Sequence, residues 1–126
     1  MASTLRRPVH LNLVKIRMPI GAISSIIHRA TGLLMFLALP YLIYLLDLSL
    51  SDATGFLQAK ESVHSPIGVV FVFLLMWSLL HHLLAGIRYL LIDVDLGVHK
   101  QAARYSALGV SIAGPILALL LTAGLL

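Results

Sequence analysis

The sequence predicts an all-α membrane protein with three transmembrane helices, and three observations carry that prediction. Of its 126 residues, 60% are hydrophobic and only 11% are charged, with a mean hydropathy of +0.99. A soluble domain of this size needs far more polar surface to cover itself. The apolar residues gather into three runs, each as long as the roughly 20 residues that cross a bilayer. Basic residues flank those runs, so the net charge of +4 reads as an orientation signal and not as a nucleic-acid-binding surface. There is no cysteine, so this chain brings no disulfide, zinc-thiolate site or iron–sulfur ligand, and any metal must be held by histidine.

Met1 to Met18 are basic and amphipathic, with Arg6, Arg7, Lys15 and Arg17 and a break at Pro8. The alternating Val9, Leu11 and Leu13, with His10 and Asn12 between them, fit a short interfacial segment against a soluble partner. They fit a solvated cytoplasmic tail equally well. The basic stretch lacks a cleavable apolar core and a transit-peptide pattern, so the expectation is an unprocessed bacterial inner-membrane protein.

Pro19 suits the first turn of a helix, and the helical pattern continues to about Leu48 as a first span. On it Ser25, His28 and Arg29 stand at i, i+3 and i+4, one polar cluster a turn or two inside the membrane. Pro40 interrupts the apolar run Leu33 to Leu46 and is expected to kink the helix without ending it. Asp47 to Ser65 is the substantial polar loop, with a short surface helix expected around Gly55 to Val63 on propensity. Pro66 opens a second span, Ile67 to about Ile92. Asp93, Asp95, Gly97, His99, Lys100 and Arg104 read as a short connection. The third span runs from Tyr105 to Leu126, with Gly109, Gly114 and Pro115 as small residues that allow close helix contact.

Arg6, Arg7, Lys15 and Arg17 precede the first span, and Lys100 and Arg104 separate the second from the third, against Lys60 alone in the first loop. This asymmetry places the N-terminus and second loop in the cytoplasm and the C-terminus in the periplasm.

The costliest stretch to bury is His81 to Asp93, where two imidazoles, a guanidinium and a phenol interrupt a lipid-soluble segment. Each needs a partner or an aqueous cavity. His82, Gly86 and Tyr89 share a helical face, while His81 is turned about 100° away from His82. The deduced orientation puts the Ser25/His28/Arg29 cluster and a His82/Arg88/Tyr89 cluster in the same half of the membrane. A neutral imidazole beside a glycine that admits a bulky neighbour suits haem iron. It can equally hydrogen-bond a neighbouring helix or reach for headgroups, and the residues by themselves leave these readings open. Met35, Phe71, Phe73, Met76 and Trp77 read as packing or lipid contact. No repeat, phosphate-binding loop or nucleophile constellation is present. The apolar runs hold no carboxylate, which argues against a proton-coupled transporter.

With Arg7-Pro8, Ser25-Ile26-Ile27-His28-Arg29-Ala30-Thr31-Gly32 and His82-Leu83-Leu84-Ala85-Gly86-Ile87-Arg88-Tyr89 in view, the chain resembles the cytochrome b subunits of bacterial succinate dehydrogenase over nearly its whole length. The resemblance rests on an RP segment, an S-x-x-H-R-x-[ST]-G box entering the first helix, and an H-x-x-x-G-x-R-[HY] box followed by an Asp in the second. It implies one half of a heterodimeric haem-binding helical bundle that anchors respiratory complex II. In that family a flavoprotein with FAD oxidises succinate, an Fe–S subunit carries the electrons, and two three-helix anchors share haem b and complete a ubiquinone site.

On this resemblance His82 is the axial ligand of the haem iron, with the other ligand supplied by the second anchor. Ser25 and Arg29 belong to the quinone site, and His28, Arg29 and Tyr89 stand near the haem propionates. Tyr89 replaces a histidine found in some relatives. His81 beside His82 departs from the simpler single-histidine box, and the spacing to Gly86 selects His82. Arg29 offers a fork of donors suited to carboxylates or to charge developing on a quinone oxygen. Ser25 can donate to a quinone carbonyl, or bond back to its own helix. Two further readings stand beside this one: the anchor of a quinol:fumarate reductase, and a haem-free structural anchor. A trimer of whole heterotetramers is left open.

Overall fold

A computed structural model describes residues 17–126. The readings made at Arg6, Arg7, Pro8, His10 and Lys15, including the interfacial segment, lie outside the described residues. Four helices follow one another: α1 (Ile20–Ser51), α2 (Ala53–His64), α3 (Pro66–Asp93) and α4 (Lys100–Leu125). The described residues contain no strand, and α1, α3 and α4 are long and apolar enough to cross a membrane. At about 1.5 Å per residue they measure roughly 48, 42 and 39 Å, the hydrocarbon core of a bilayer with its headgroup layers. The fold is all-helical, with three helices of spanning length.

The helix ends have local causes. Asp52 is extended and its carboxylate accepts from the Gly55 amide at 2.7 Å, which starts α2. Ser65 does the same for α3, accepting from Gly68 N at 3.0 Å, with Pro66 in the first turn. The short helix expected around Gly55 to Val63 thus runs from Ala53 to His64. After α3 the chain turns through Asp95 (φ 61°) and Gly97 (φ 74°), a left-handed region that asparagine-like and glycine residues tolerate best. Pro40 sits inside α1, which continues through it.

Two boundaries differ from the sequence reading, and the first is that α1 continues to Ser51, so that Asp47 to Ser51, expected in the first loop, are helical. The second is that Lys100 and Arg104, expected in the connection between spans, form the first turns of α4. The physical reason is that Lys100-Gln101-Ala102-Ala103-Arg104 are strong helix formers, and the breaker, Gly97, lies upstream of them.

Packing inverts the soluble pattern. Apart from His81 and Arg88 on α3, the buried residues are small, among them Ser24, Thr31 and Ala38 on α1, Ser78 and Ala85 on α3, and Ala107, Gly114 and Ala118 on α4. Large apolar side chains such as Phe36, Leu37, Ile43, Leu119 and Leu120 are exposed. Small residues let backbones approach where lipid provides no hydrophobic drive between helices. α3 and α4 approach closely at Gly114, where an added Cβ would stand 3.2 Å from the His81 Cβ and 3.4 Å from its Cα. Gly109 is exposed and would meet nothing, so only one of the two glycines serves helix contact within this chain. Met35, Phe71, Phe73, Met76 and Trp77 are all half-buried.

Candidate functional site

The site forms where α1 and α3 cross. His82 on α3 places its Nδ1 2.9 Å from the backbone carbonyl of His28 on α1. The Thr31 hydroxyl, fully buried, donates to that same carbonyl at 2.8 Å and lies 3.5 Å from the His82 Nδ1. A carbonyl can only accept, so the proton of a neutral His82 sits on Nδ1, and Nε2 keeps its lone pair. A backbone carbonyl on one ring nitrogen is the usual way in which a ligating histidine has its tautomer and orientation fixed.

Three rings assemble around that bond. The His28 imidazole stacks on His82 with centroids 3.9 Å apart and planes 13° from parallel. Tyr89 meets His28 edge-on at 5.3 Å and 77°. Of the two glycines beside these rings, Gly32 makes the room. A Cβ on Gly32 would fall 2.9 Å from His82 Cε1, a clash, and one on Gly86 would stand 3.7 Å from His28 Nε2, an ordinary contact. The bulky group that Gly86 admits within this chain is therefore the His28 ring. Its Oη buried and without a hydrogen-bond partner, Tyr89 has a donor to spare. His28, His82 and Tyr89 are each only half-buried, so this face remains open.

Both expected polar clusters divide. Of Ser25, His28 and Arg29, only His28 turns across to α3. Arg29 is exposed and donates from Nε to the Ser25 backbone carbonyl at 3.4 Å, while Ser25 is half-buried. Arg88 likewise turns from His82 to α4, where Nε donates to Ser106 Oγ at 2.9 Å and Nη2 to the Ala103 carbonyl at 3.0 Å, its guanidinium carbon remaining 5.3 Å from the Tyr89 ring. The cause is helical geometry: Ser78, His81, Ala85 and Arg88 lie on one stripe of α3, all buried, while His82, Gly86 and Tyr89 lie on the next. His81, on the buried stripe, is 1% exposed. Neither of its ring nitrogens has a partner, nor do the Ser24 and Ser78 hydroxyls.

Thr31 and Gly32 are site residues that sequence reasoning did not single out. Their signal was present as the last two positions of the first box, and as a threonine three residues beyond His28.

His28 and His82 cannot hold one ion from opposite sides. Trans ligands share a common axis, whereas stacked planes are offset along their normal. Among the described residues no group of three or more His, Cys, Asp or Glu gathers to hold a metal. The site offers one imidazole with its tautomer fixed and Nε2 free, a donor set that fits a single ligand to a haem iron.

The chain matches the family described as succinate dehydrogenase/fumarate reductase transmembrane subunit over residues 3–122. It is 35% identical to the succinate dehydrogenase cytochrome b556 subunit of Coxiella burnetii over 103 residues, covering 81% of this chain and 82% of that protein. It is 32% identical to the subunit of that name from Paracoccus denitrificans, covering 92% and 88%. To the Rickettsia felis subunit it is 30% identical, covering 92% and 90%. With three spanning helices and both boxes brought together where α1 crosses α3, the chain belongs to the succinate dehydrogenase/fumarate reductase transmembrane-subunit family, as a cytochrome b subunit of the succinate dehydrogenase type.

Proposed function

We propose that this chain binds haem b with a second three-helix anchor and helps to form the ubiquinone-reducing site of a succinate:ubiquinone oxidoreductase. The observation that carries the proposal is the hydrogen bond from His82 Nδ1 to the His28 carbonyl, which frees Nε2 for iron. When bound, haem b supplies a one-electron carrier inside the bilayer. His82 would ligate and orient it; His28, stacked on His82, and Tyr89, edge-on to His28, would with Arg29 hold the propionates. Arg29, always charged, offsets those carboxylates and stabilises charge developing on a quinone oxygen. Ser25, one turn away, donates to a quinone carbonyl and orients the ring.

Succinate itself is oxidised in a flavoprotein subunit holding FAD, and Fe–S clusters in a second soluble subunit pass on its electrons. The three relatives compared all carry the succinate dehydrogenase name, which supports that direction over fumarate reduction. Basic residues before α1 and at the start of α4 support a bacterial inner-membrane location with a cytoplasmic N-terminus and a periplasmic C-terminus.

The experiment is a paired assay on the purified complex. Arg29→Gln removes a charge-assisted interaction, so quinone reduction by succinate should fall at least about tenfold. Succinate oxidation by a soluble artificial acceptor should remain within about twofold, because that reaction bypasses the membrane site. Quinone reduction that stays within about twofold would remove Arg29 from the quinone site, whereas equal loss of both activities would mean failed assembly.

A further inference from the structure

The buried stripe of α3 ends in a charge that this chain does not neutralise. Arg88 is 9% exposed, and its two acceptors, the Ser106 hydroxyl and the Ala103 carbonyl, are both neutral. The Tyr89 ring, 5.3 Å from the guanidinium carbon, supplies a weak cation–π contact. The chain has five acidic residues. Asp47, Asp52 and Glu61 lie near the far end of α1 and on α2, while Asp93 and Asp95 are exposed around the α3–α4 turn. Residues 1–16 contain no acidic residue at all. A cation this deep in an apolar bundle needs an anion.

Arg88 lines a cavity of about 540 Å³ between the first turns of α1 and α4, together with Ile20, Gly21, Lys100, Arg104 and Leu108. Three cations and no carboxylate border it. Both helices that open onto it, α1 and α4, lack a side-chain N-cap, whereas α2 and α3 are capped by Asp52 and Ser65. The amides that start α1 and α4 therefore add donors and the positive ends of two helix dipoles to the same space.

Depth identifies the anion. α3 has 28 residues, about 42 Å, against a hydrocarbon core of about 30 Å, so about 6 Å of helix stands in each headgroup layer. Arg88 is five residues before the end of α3, about 7.5 Å, at the boundary between acyl chains and headgroups. Lys100 opens α4 at headgroup level, Arg104 one turn further in reaches back to it along its flexible stem, and Ile20 and Leu108 give the cavity apolar walls. We infer that this cavity binds the phosphate headgroup of an anionic phospholipid, with Arg88 below the phosphate, Lys100 and Arg104 beside it, and the acyl chains against α1 and α4.

The test uses the intact purified complex, stripped of lipid in a neutral detergent and then titrated with phosphatidylglycerol, phosphatidylcholine or inorganic phosphate. Lipid retained is read by native mass spectrometry and stability by the thermal midpoint. Phosphatidylglycerol should bind and raise the midpoint, with phosphatidylcholine and phosphate doing neither. The double variant Lys100→Gln/Arg104→Gln, at two exposed positions, should bind phosphatidylglycerol about thirty-fold more weakly, and Arg88→Gln more weakly still. Should Arg88→Gln fail to assemble, the double variant decides alone. Equal effects of the two lipids, or of inorganic phosphate, would overturn the assignment. So would a double variant that binds phosphatidylglycerol normally but sheds the soluble subunits, because the cavity would then be a protein-docking surface.

Discussion

The His28 carbonyl receives two donors at once, the Thr31 hydroxyl and the His82 imidazole, and this sharing fixes one ring tautomer inside the bundle. Thr31→Val keeps the shape and removes the hydroxyl, so it should cost about 1 kcal/mol, measured as a lowered thermal midpoint of the complex. Haem should remain bound. The glycines give a sharper contrast. Gly32→Ala places a Cβ 2.9 Å from His82 Cε1 and must displace the ring, whereas Gly86→Ala meets His28 at 3.7 Å and disturbs little. The haem spectrum of the complex should therefore change in Gly32→Ala and persist in Gly86→Ala; the reverse order would show that the glycine on α3 is the one that seats the imidazole. At this scale the sequence was half legible. His82, His28 and Tyr89 could be named from their spacing and their boxes. The destination of Arg88 could not, because a rotation of one residue on α3 separates the face that meets α1 from the one that meets α4.

Among the helices, side-chain size determines contact. In a bilayer the large apolar residues gain nothing by turning inward, so Phe36, Leu37 and Leu120 face out and the helices meet through Ser24, Ala85, Ala107 and Gly114. Length and hydropathy accordingly made the three spanning helices readable, while the buried face of each was not: hydrophobicity does not distinguish core from lipid when the solvent is hydrocarbon. Gly114 supplies the measurement for this level. Its Cβ position lies against the backbone and Cβ of His81, neither of which can swing away, so Gly114→Val should push α3 and α4 apart at a cost of about 1–3 kcal/mol. Gly109→Val, at an exposed position with open space around it, should leave the thermal midpoint of the same complex unchanged.

The whole molecule is an unfinished bundle. Its rings at α1 and α3 are half-buried, Arg29 is exposed, and among the described residues no second imidazole stands opposite the free Nε2 of His82. On the proposed function a second chain completes this surface, a partner that a single sequence could signal through resemblance and not through its own periodicity. Orientation belongs to this level too. A reporter enzyme that matures only in an oxidising compartment should be active when fused after Leu126 and inactive when inserted after Gly97; the opposite result would reverse the topology. The most direct measurement of the central claim compares neighbouring histidines on α3 by the visible spectrum of the purified complex. His82→Leu should abolish or shift the haem bands while His81→Phe leaves them in place. A normal spectrum in His82→Leu, with the bands lost instead in His81→Phe, would contradict the assignment of His82 to the iron.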